Sequence, residues 1–223
     1  MKIDANSVTF EPQDMAFVKK FGILKATEMV LDYHAEHPNL PFLYDAEQLA
    51  GFLGISRGEL NDIVNHIQKE YKETRLPKKD GTYRSLCVPS IRLRFCQDPI
   101  KEKILPQLPV SKFATAYQKG STTRGNAEPH IGKKFLLKLD ITDFFGSITF
   151  EQVQRTAFNT RYVSRQVGYL LTSLCCKDDS LPQGAATSPA LSNIVMYRFD
   201  DYIGRWCSQR QIAYTRYCDD MTF

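Results

Sequence analysis

An aspartate ends one apolar run of the sequence, and two more aspartates lie in an extended segment further on. Residues 135–139 read FLLKL, typical of a largely buried strand, and Asp140 follows directly. Residues 212–223 read IAYTRYCDDMTF, which predicts a strand, a tight turn at Asp219 and Asp220, and a returning strand. Carboxylates at the edge of a core lose hydration and repel one another, so they need a compensating cation. The sequence therefore predicts an antiparallel sheet with carboxylates at its edge.

Magnesium is the cation that such carboxylates suit best. Mg²⁺ prefers octahedral oxygen ligands and keeps waters that a substrate phosphate can replace. Two such ions about 3.5–4 Å apart can activate an attacking 3′-oxygen and stabilise a leaving pyrophosphate. Taken alone, the Asp219-Asp220 pair is more often a solvated turn, so the metal interpretation depends on the motifs around it.

Helical patterns fill much of the remaining chain, with one clear hairpin. Asp80-Gly81 lies between two short extended runs in residues 76–88, a strong hairpin signal. Residues 113–125 look irregular. The helical pair at 46–53 and 58–71 could be a DNA reader, but its acidic balance favours a packing module. Helices are expected at residues 23–36, 46–53, 58–71, 92–105, 151–159, 164–175 and 189–209.

Two of these helices have explicit start signals. Ser56 followed three residues later by Glu59 predicts a capping box. Ser188 followed by Pro189 predicts a capping serine with proline as the first helical residue. The elements together predict an α+β fold, divided into an N-terminal helical segment (1–71), a mixed region with a basic hairpin (72–135) and a sheet region (136–223).

Positive charge is concentrated in the middle of the chain. The net charge is only +4, but residues 72–138 contain fifteen Lys and Arg against five Asp and Glu. This excess indicates either a surface that faces phosphates or a merely solvated face. The six cysteines show no CxxC spacing, which is typical of reduced thiols in an intracellular protein. With no secretion signal and no long apolar stretch, the cytoplasm is the expected compartment and no membrane partner is expected.

Four ordered segments resemble the motifs of reverse transcriptases. They are PKKDGTYR at 77–84, like the fingers hairpin; KLDITDFFGSI at 138–148, like the first palm motif; LPQGAATSPALSN at 181–193, like the LPQGxxxSP motif; and YCDD at 217–220, like the YxDD box. NAEPH at 126–130 resembles the NAxxH signature of retron-type enzymes. The resemblance implies a right-hand polymerase palm with fingers and an N-terminal helical segment, and without a thumb in this chain.

The resemblance assigns catalysis to three aspartates. Asp140, Asp219 and Asp220 are expected to hold two Mg²⁺ ions, and Ile141 to lend a backbone carbonyl. Asp140 and Asp219 are the expected bridging ligands, because Asp220 follows directly on a strand and must point differently from its neighbour.

The same resemblance assigns a nucleotide site. Lys78, with Lys79 as the alternative, and Arg84 are expected to reach the triphosphate. Phe145 is expected beneath the sugar, where its ring would exclude a 2′-hydroxyl, whereas Phe144 is expected in the core. The remaining candidates at this site are Asp143, Gln183, which should contact the nucleotide, and Gly184, which permits close backbone approach.

Four further residues are expected at the nucleic acid. Asn126 and His130 belong to the NAxxH segment, in which the histidine either orders a loop or contacts RNA. Tyr217 and Cys218 should lie beside the primer end, with Cys218 as a packing residue because the metal mechanism requires no nucleophilic thiol.

The expected function is that of a retron reverse transcriptase. Such an enzyme copies a structured non-coding RNA, using deoxynucleoside triphosphates, into branched RNA-linked single-stranded DNA, and acts in anti-phage defence with a separate effector protein. The alternatives are another bacterial reverse transcriptase, of the abortive-infection or group II intron type, or a non-catalytic RNA-binding scaffold. Without a thumb, this chain alone is expected to polymerise weakly or not at all.

Overall fold

A computed structural model describes residues 8–77, 81–158 and 163–223. These residues form helices and two small antiparallel sheets, which confirms the α+β expectation. The helices are α1 (Met15–Phe21), α2 (Ile23–Glu36), α3 (Ala46–Leu53), α4 (Arg57–Asn65), α5 (Ile91–Pro99), α6 (Thr123–Ala127), α7 (Phe150–Val153), α8 (Arg165–Cys175) and α9 (Ser188–Ser208). The strands are β1 (Tyr71–Pro77), β2 (Tyr83–Pro89), β3 (Lys138–Asp140), β4 (Thr215–Tyr217) and β5 (Asp220–Thr222).

Both expected antiparallel arrangements are present. Strands β1 and β2 form the basic hairpin, with Tyr71 opposite Pro89 and Pro77 opposite Tyr83. Strands β3, β5 and β4 form the second sheet in that order, so that β5 lies in the middle and pairs with both neighbours. The predicted strand, turn and returning strand after residue 212 are therefore confirmed.

Local capping explains several helix starts. The Asp45 side chain accepts hydrogen bonds from the backbone N–H groups of Glu47 and Gln48 and so caps α3. The expected capping box of α4 is present, with Ser56 and Glu59 bonded reciprocally. Helix α2 ends at Glu36, as expected from the proline that follows His37.

The predicted helix over residues 58–71 was wrong at its C-terminal end. Helix α4 ends at Asn65, a 3₁₀ turn covers Ile67–Glu70, and Tyr71 begins β1. Tyr71 is 7% exposed, and its hydroxyl accepts a hydrogen bond from the Gln97 side chain at 3.1 Å. Pairing with β2 and burial of this ring outweigh the local helical preference.

Two other helix predictions need correction. The helix expected over 92–105 is regular only to Pro99 and continues as a π-helical turn at Ile100–Ile104, because proline lacks the N–H of a regular ladder. Ser188 does not cap α9: it is the first residue of that helix, and its hydroxyl donates to the Pro182 carbonyl at 2.8 Å.

The expectation of a largely buried strand at 135–139 was also wrong. Strand β3 is short, all of its residues are exposed, and Phe135 just before it is 89% exposed. The strand is an edge of its sheet, and no part of the described chain covers its apolar side chains. An apolar composition alone cannot distinguish such an edge from a central strand.

One core cluster joins helices from different parts of the chain. Leu49 and Leu60 of the first helical pair, Leu93 of α5, Leu171 of α8 and Leu191 of α9 are all buried in it. The cluster therefore includes residues on both sides of the expected boundary at residue 71, and the division into three regions stays a prediction. Within the described ranges, no helix combines the length and apolar character that a bilayer crossing requires.

Candidate active site

Sheet pairing brings the three aspartates to one end of the second sheet. Asp140 at the end of β3 is paired with Asp220 at the start of β5. The backbone N–H of Ile141 donates to the Asp219 carbonyl at 3.1 Å, which continues the pairing into the turn. Residues 80 positions apart in sequence thus become neighbours, because a strand end and a hairpin turn meet at one sheet edge.

The side chains at this edge open into a cleft of about 800 Å³. Asp140 and Asp219 both line it, while Asp220 lies beside them on β5 and is exposed. No three His, Cys, Asp or Glu side chains within the described residues are gathered closely enough to hold an ion. Carboxylate oxygens on adjacent backbone positions fit the ligand preference of Mg²⁺.

A buried ion pair lies directly behind the aspartate turn. Arg216 of β4 and Asp200 of α9 are both fully buried, and the guanidinium donates to the carboxylate from Nε at 2.9 and 3.1 Å and from Nη2 at 2.6 Å. The Arg216 Nη1 donates to the backbone carbonyl of Cys218 at 2.7 Å. Arg216 therefore ties the turn that carries Asp219 to the long helix α9.

The remaining hydrogen bonds of this pair come from two other buried residues. The Tyr214 hydroxyl donates to Asp200 at 2.9 Å, and burial is the main reason that the pKa of Tyr214 is raised. Asn193 accepts from Arg216 Nη2 at 3.1 Å and donates to the Ala116 carbonyl at 2.8 Å. The network is thus well satisfied, as a buried charge pair requires.

The two phenylalanines after the first motif occupy different environments. Phe144 is 5% exposed and has the Arg216 guanidinium 5.6 Å from its ring centre, so it belongs to the interior. Phe145 is half-buried, lies 5.4 Å from Phe144 between ring centres, and lines the cleft. Asp143 also lines the cleft, with its carboxylate packed over Gly146, where an added Cβ would lie 2.2 Å away.

Gln183 and Gly184 attach the LPQG segment to strand β2. The Cys87 N–H donates to the Gln183 carbonyl at 2.7 Å, and both Gln183 and Cys87 line the cleft. Gly184 has a φ of 124°, and a Cβ on it would lie 2.9 Å from the Cys87 carbonyl oxygen. The close approach that glycine permits is therefore to the backbone of β2.

The basic hairpin supplies one described cation to the cleft. Arg84 is exposed, lines the cleft and lies opposite Leu76 in the hairpin register. The predicted roles of Lys78 and Lys79 fall on positions outside the described residues.

The NAEPH segment is bonded to the second sheet. His130 is 7% exposed and its Nε2 lies 2.9 Å from the Thr215 hydroxyl, while Asn126 accepts a hydrogen bond from Thr115 at 2.6 Å. Burial, and then the nearby Lys133 charge, lower the pKa of His130, which favours the neutral ring. These contacts order a loop; an RNA contact by this segment stays a prediction.

Tyr217 and Cys218 flank the aspartates as the motif requires. Tyr217 lies opposite Asp220 at the end of β4, and Cys218 follows in the turn with a φ of 59°. Burial raises the pKa of the Cys218 thiol, so it stays protonated and is a poor nucleophile at neutral pH. Its role as a packing residue beside the primer end stays a prediction.

Comparison with known proteins identifies the family of this chain. Residues 76–223 match the family described as "Reverse transcriptase (RNA-dependent DNA polymerase)". The chain belongs to the reverse transcriptase family. The match includes β2, the whole second sheet and every residue that lines the cleft, whereas most of β1 precedes it. The family is described by its activity, the RNA-dependent polymerisation of DNA.

Several curated relatives of this reverse transcriptase chain are retron enzymes. It is 30% identical to the retron Ec86 reverse transcriptase of Escherichia coli, over 89% of this chain and 62% of the relative. It is 32% identical to the retron Mx65 reverse transcriptase of Myxococcus xanthus, over 82% of this chain and 48% of the relative. It is 34% identical to the retron Ec83 reverse transcriptase of Escherichia coli, over 69% and 52%. The resemblance to the retron type is confirmed, and the chain spans about half to three fifths of these relatives' length.

The residues that hold the turn of this reverse transcriptase chain were missed by sequence reasoning. Arg216 and Asp200 belong to none of the quoted motifs, and Asn193, the last residue of the LPQGAATSPALSN segment, was given no role of its own. One signal was available: Arg216 is a charged residue in a segment predicted to be a strand, and a charge buried in a strand needs a partner. The partner itself could not be found without the fold.

Proposed function

We propose that this chain forms the fingers and palm of a retron RNA-directed DNA polymerase that joins nucleotides with two Mg²⁺ ions. The observation that carries the proposal is the pairing of Asp140 with the strand that begins at Asp220, directly beside Asp219. It brings Asp140 and Asp219 to a cleft that is also lined by Arg84 of the basic hairpin, with Asp220 exposed beside them on β5. In this proposal β1 and β2 belong to the fingers, and the second sheet belongs to the palm.

The aspartates are the residues that would hold the ions. Asp140, Asp219 and Asp220 would hold the ions with their carboxylates, and Ile141 would add its backbone carbonyl. When bound, the metal ions would lower the pKa of the attacking 3′-hydroxyl and neutralise charge on the departing pyrophosphate. The protein contributes the placement of the carboxylates, which depends on the bond from Arg216 to the Cys218 carbonyl.

The cleft residues would orient the incoming nucleotide. Arg84, together with Lys78, would bind the triphosphate through charge-assisted hydrogen bonds. Gln183 would contact the nucleotide from a segment fixed against β2, with Asp143 at the same wall. Phe145 would lie under the sugar and exclude a 2′-hydroxyl, supported by Phe144 beneath it.

The substrate follows from the retron relatives. We infer a structured non-coding RNA as template and primer, recognised by shape and 2′-hydroxyl contacts, and a branched product in which DNA is linked to that RNA. Tyr217 and Cys218 would lie at the primer end, and Asn126 and His130 near the RNA. An effector protein, an anti-phage role and a cytoplasmic setting belong to the same proposal.

The test is synthesis of RNA-linked DNA by the gene product that contains this chain, with its adjacent non-coding RNA. Wild type is expected to yield DNA that is covalently linked to RNA. RNase treatment should remove the RNA branch and leave the DNA intact. Asp219→Asn with Asp220→Asn should abolish it, whereas Asp32→Asn, an exposed aspartate on α2, serves as the matched control. DNA made without an RNA link would indicate another bacterial reverse transcriptase, and RNA binding without any DNA would indicate a scaffold.

A further inference from the structure

Tyr117 has a backbone conformation that its side chain does not favour. Its φ is 60°, in the left-handed region that bulky residues adopt only when the surroundings impose it. Residues held in this way cluster at functional sites. The side chain of Tyr117 is 42% exposed and lines the same cleft as Asp140 and Asp219. Contacts with the surrounding structure must therefore hold Tyr117 in a backbone conformation that the residue itself disfavours.

The network behind the aspartate turn imposes this conformation. The segment 113–116 runs alongside β4 and exchanges two backbone hydrogen bonds with Arg216, both 2.8 Å long. The Asn193 side chain holds the Ala116 carbonyl at 2.8 Å. The chain is thus fixed on Arg216 and Asn193 just before Tyr117, and these two residues also belong to the network that holds the turn. The position of Tyr117 and the position of the aspartates are set by the same side chains.

The ring of Tyr117 supports the ring of Phe145. The two ring centres are 6.4 Å apart with planes inclined by 38°, a tilted contact within the 4.5–7 Å over which aromatic rings interact. Phe145 contacts the buried Phe144 as well, at 5.4 Å. Burial raises the pKa of the Tyr117 hydroxyl, which therefore stays protonated at neutral pH. Phe145 is consequently held between an interior ring and the Tyr117 ring at the cleft surface.

We propose that Tyr117 is a positioning residue for sugar selection: its ring fixes the Phe145 ring where it excludes a 2′-hydroxyl. The proposal rests on the polymerase function proposed above. Without Tyr117, Phe145 would keep its contact with Phe144 but could rotate away from the cleft. Selection between deoxyribonucleotides and ribonucleotides would then weaken, while the aspartates would keep their support from Arg216.

The experiment measures the ratio of kcat/KM for a deoxynucleoside triphosphate to that for the matching ribonucleotide, in primer extension on RNA by the gene product that contains this chain. This ratio does not depend on the fraction of active enzyme, so simple loss of folded protein leaves it unchanged. Tyr117→Ala removes the ring, Tyr117→Phe keeps it, and Tyr202→Ala removes an exposed tyrosine of α9 that lies away from the cleft. Phe145→Ala, alone and with Tyr117→Ala, measures whether the two residues act through one another.

Tyr117→Ala is expected to lower the ratio by roughly tenfold, within the coupling range of contacting side chains. Tyr117→Phe and Tyr202→Ala should match wild type, and the double variant should match Phe145→Ala. An unchanged ratio in Tyr117→Ala would overturn the proposal, as would effects of Tyr117→Ala and Phe145→Ala that simply add. If Tyr117→Ala makes no product, Tyr117→Leu is measured in its place. If the Tyr117→Leu protein is folded but also inactive, Tyr117 takes part in catalysis, and its role in sugar selection is overturned. Absence of synthesis by wild type would instead contradict the polymerase function itself.

Discussion

Removing the charge of Asp200 should weaken both the fold and the active site. In the wild type, three hydrogen bonds of 2.6–3.1 Å join the side chains of Asp200 and Arg216, which are both fully buried. Asp200→Asn leaves the Arg216 guanidinium without its counter-charge. Breaking one side of a buried ion pair costs about 3–5 kcal/mol. That is a large part of the roughly 5–15 kcal/mol that stabilises a typical folded protein. For a chain of this size, we expect the melting temperature to fall by about 10 °C.

Replacing both partners separates stability from activity. Arg216→Met with Asp200→Leu removes both charges and fills a similar volume, so most of the lost stability should return. The Cys218 carbonyl still loses its donor, and a hydrogen bond from a charged group contributes about 1.5–3 kcal/mol. If that bond holds the aspartate turn for reaction, the rate of primer extension should stay about 10- to 100-fold below wild type.

Urea denaturation and primer extension on the same preparations provide the measurement. Glu28→Gln is the matched control, since Glu28 of α2 forms an ion pair with Lys25 in which both side chains are exposed; exposed pairs contribute about 0–1 kcal/mol. Recovery of both stability and rate in the double variant would show that the bond from Arg216 to the turn has no part in catalysis. Wild-type stability of Asp200→Asn would contradict the buried ion pair itself.

Three further predictions concern the loop, the LPQG segment and the hairpin. The pKa of His130 is lowered in the folded protein, so the unfolded chain takes up a proton first as the pH falls. The stability present above about pH 6.5 should therefore decline below it. Between pH 8 and 5.5 the melting temperature should fall less in His130→Gln than in wild type. Gly184→Ala forces a Cβ against the Cys87 carbonyl oxygen at an unfavourable φ. The free energy of unfolding, measured by urea denaturation, should fall by about 1–3 kcal/mol. An unchanged midpoint would contradict the close approach of Gly184 to Cys87. Arg84→Gln should raise KM for nucleotides roughly tenfold or more in steady-state extension with a smaller effect on kcat, and an unchanged KM would remove Arg84 from the triphosphate site.

The sequence was sufficient for the features that depend on local order. Motif spacing predicted Asp140 at a strand end and Asp219 in a hairpin turn, and capping signals predicted the start of α4. Each of these depends on residues within a few positions of one another, where turn and cap chemistry act.

Features that depend on distant partners could not be predicted in this way. The end of α4 is set by pairing with β2, and the pairing of Arg216 with Asp200 depends on how α9 packs behind β4. Phe135 lies just before the edge strand β3 and is exposed, and its apolar neighbours in sequence do not reveal this exposure. The strained conformation of Tyr117 likewise follows from the fold around it. In each case tertiary contacts decide between local alternatives.

Counting bound metal ions is the direct test of whether Asp140 and the Asp219 turn hold two ions together. Mn²⁺, as a paramagnetic stand-in for Mg²⁺, can be titrated by electron paramagnetic resonance into the gene product that contains this chain, with primer, RNA template and a deoxynucleoside triphosphate present. We expect two bound ions for wild type and for Asp32→Asn, and fewer or more weakly bound ions for Asp140→Asn and Asp219→Asn. Equal numbers and affinities in wild type and Asp140→Asn would contradict it, because Asp140 would then take no part in holding metal beside the Asp219 turn.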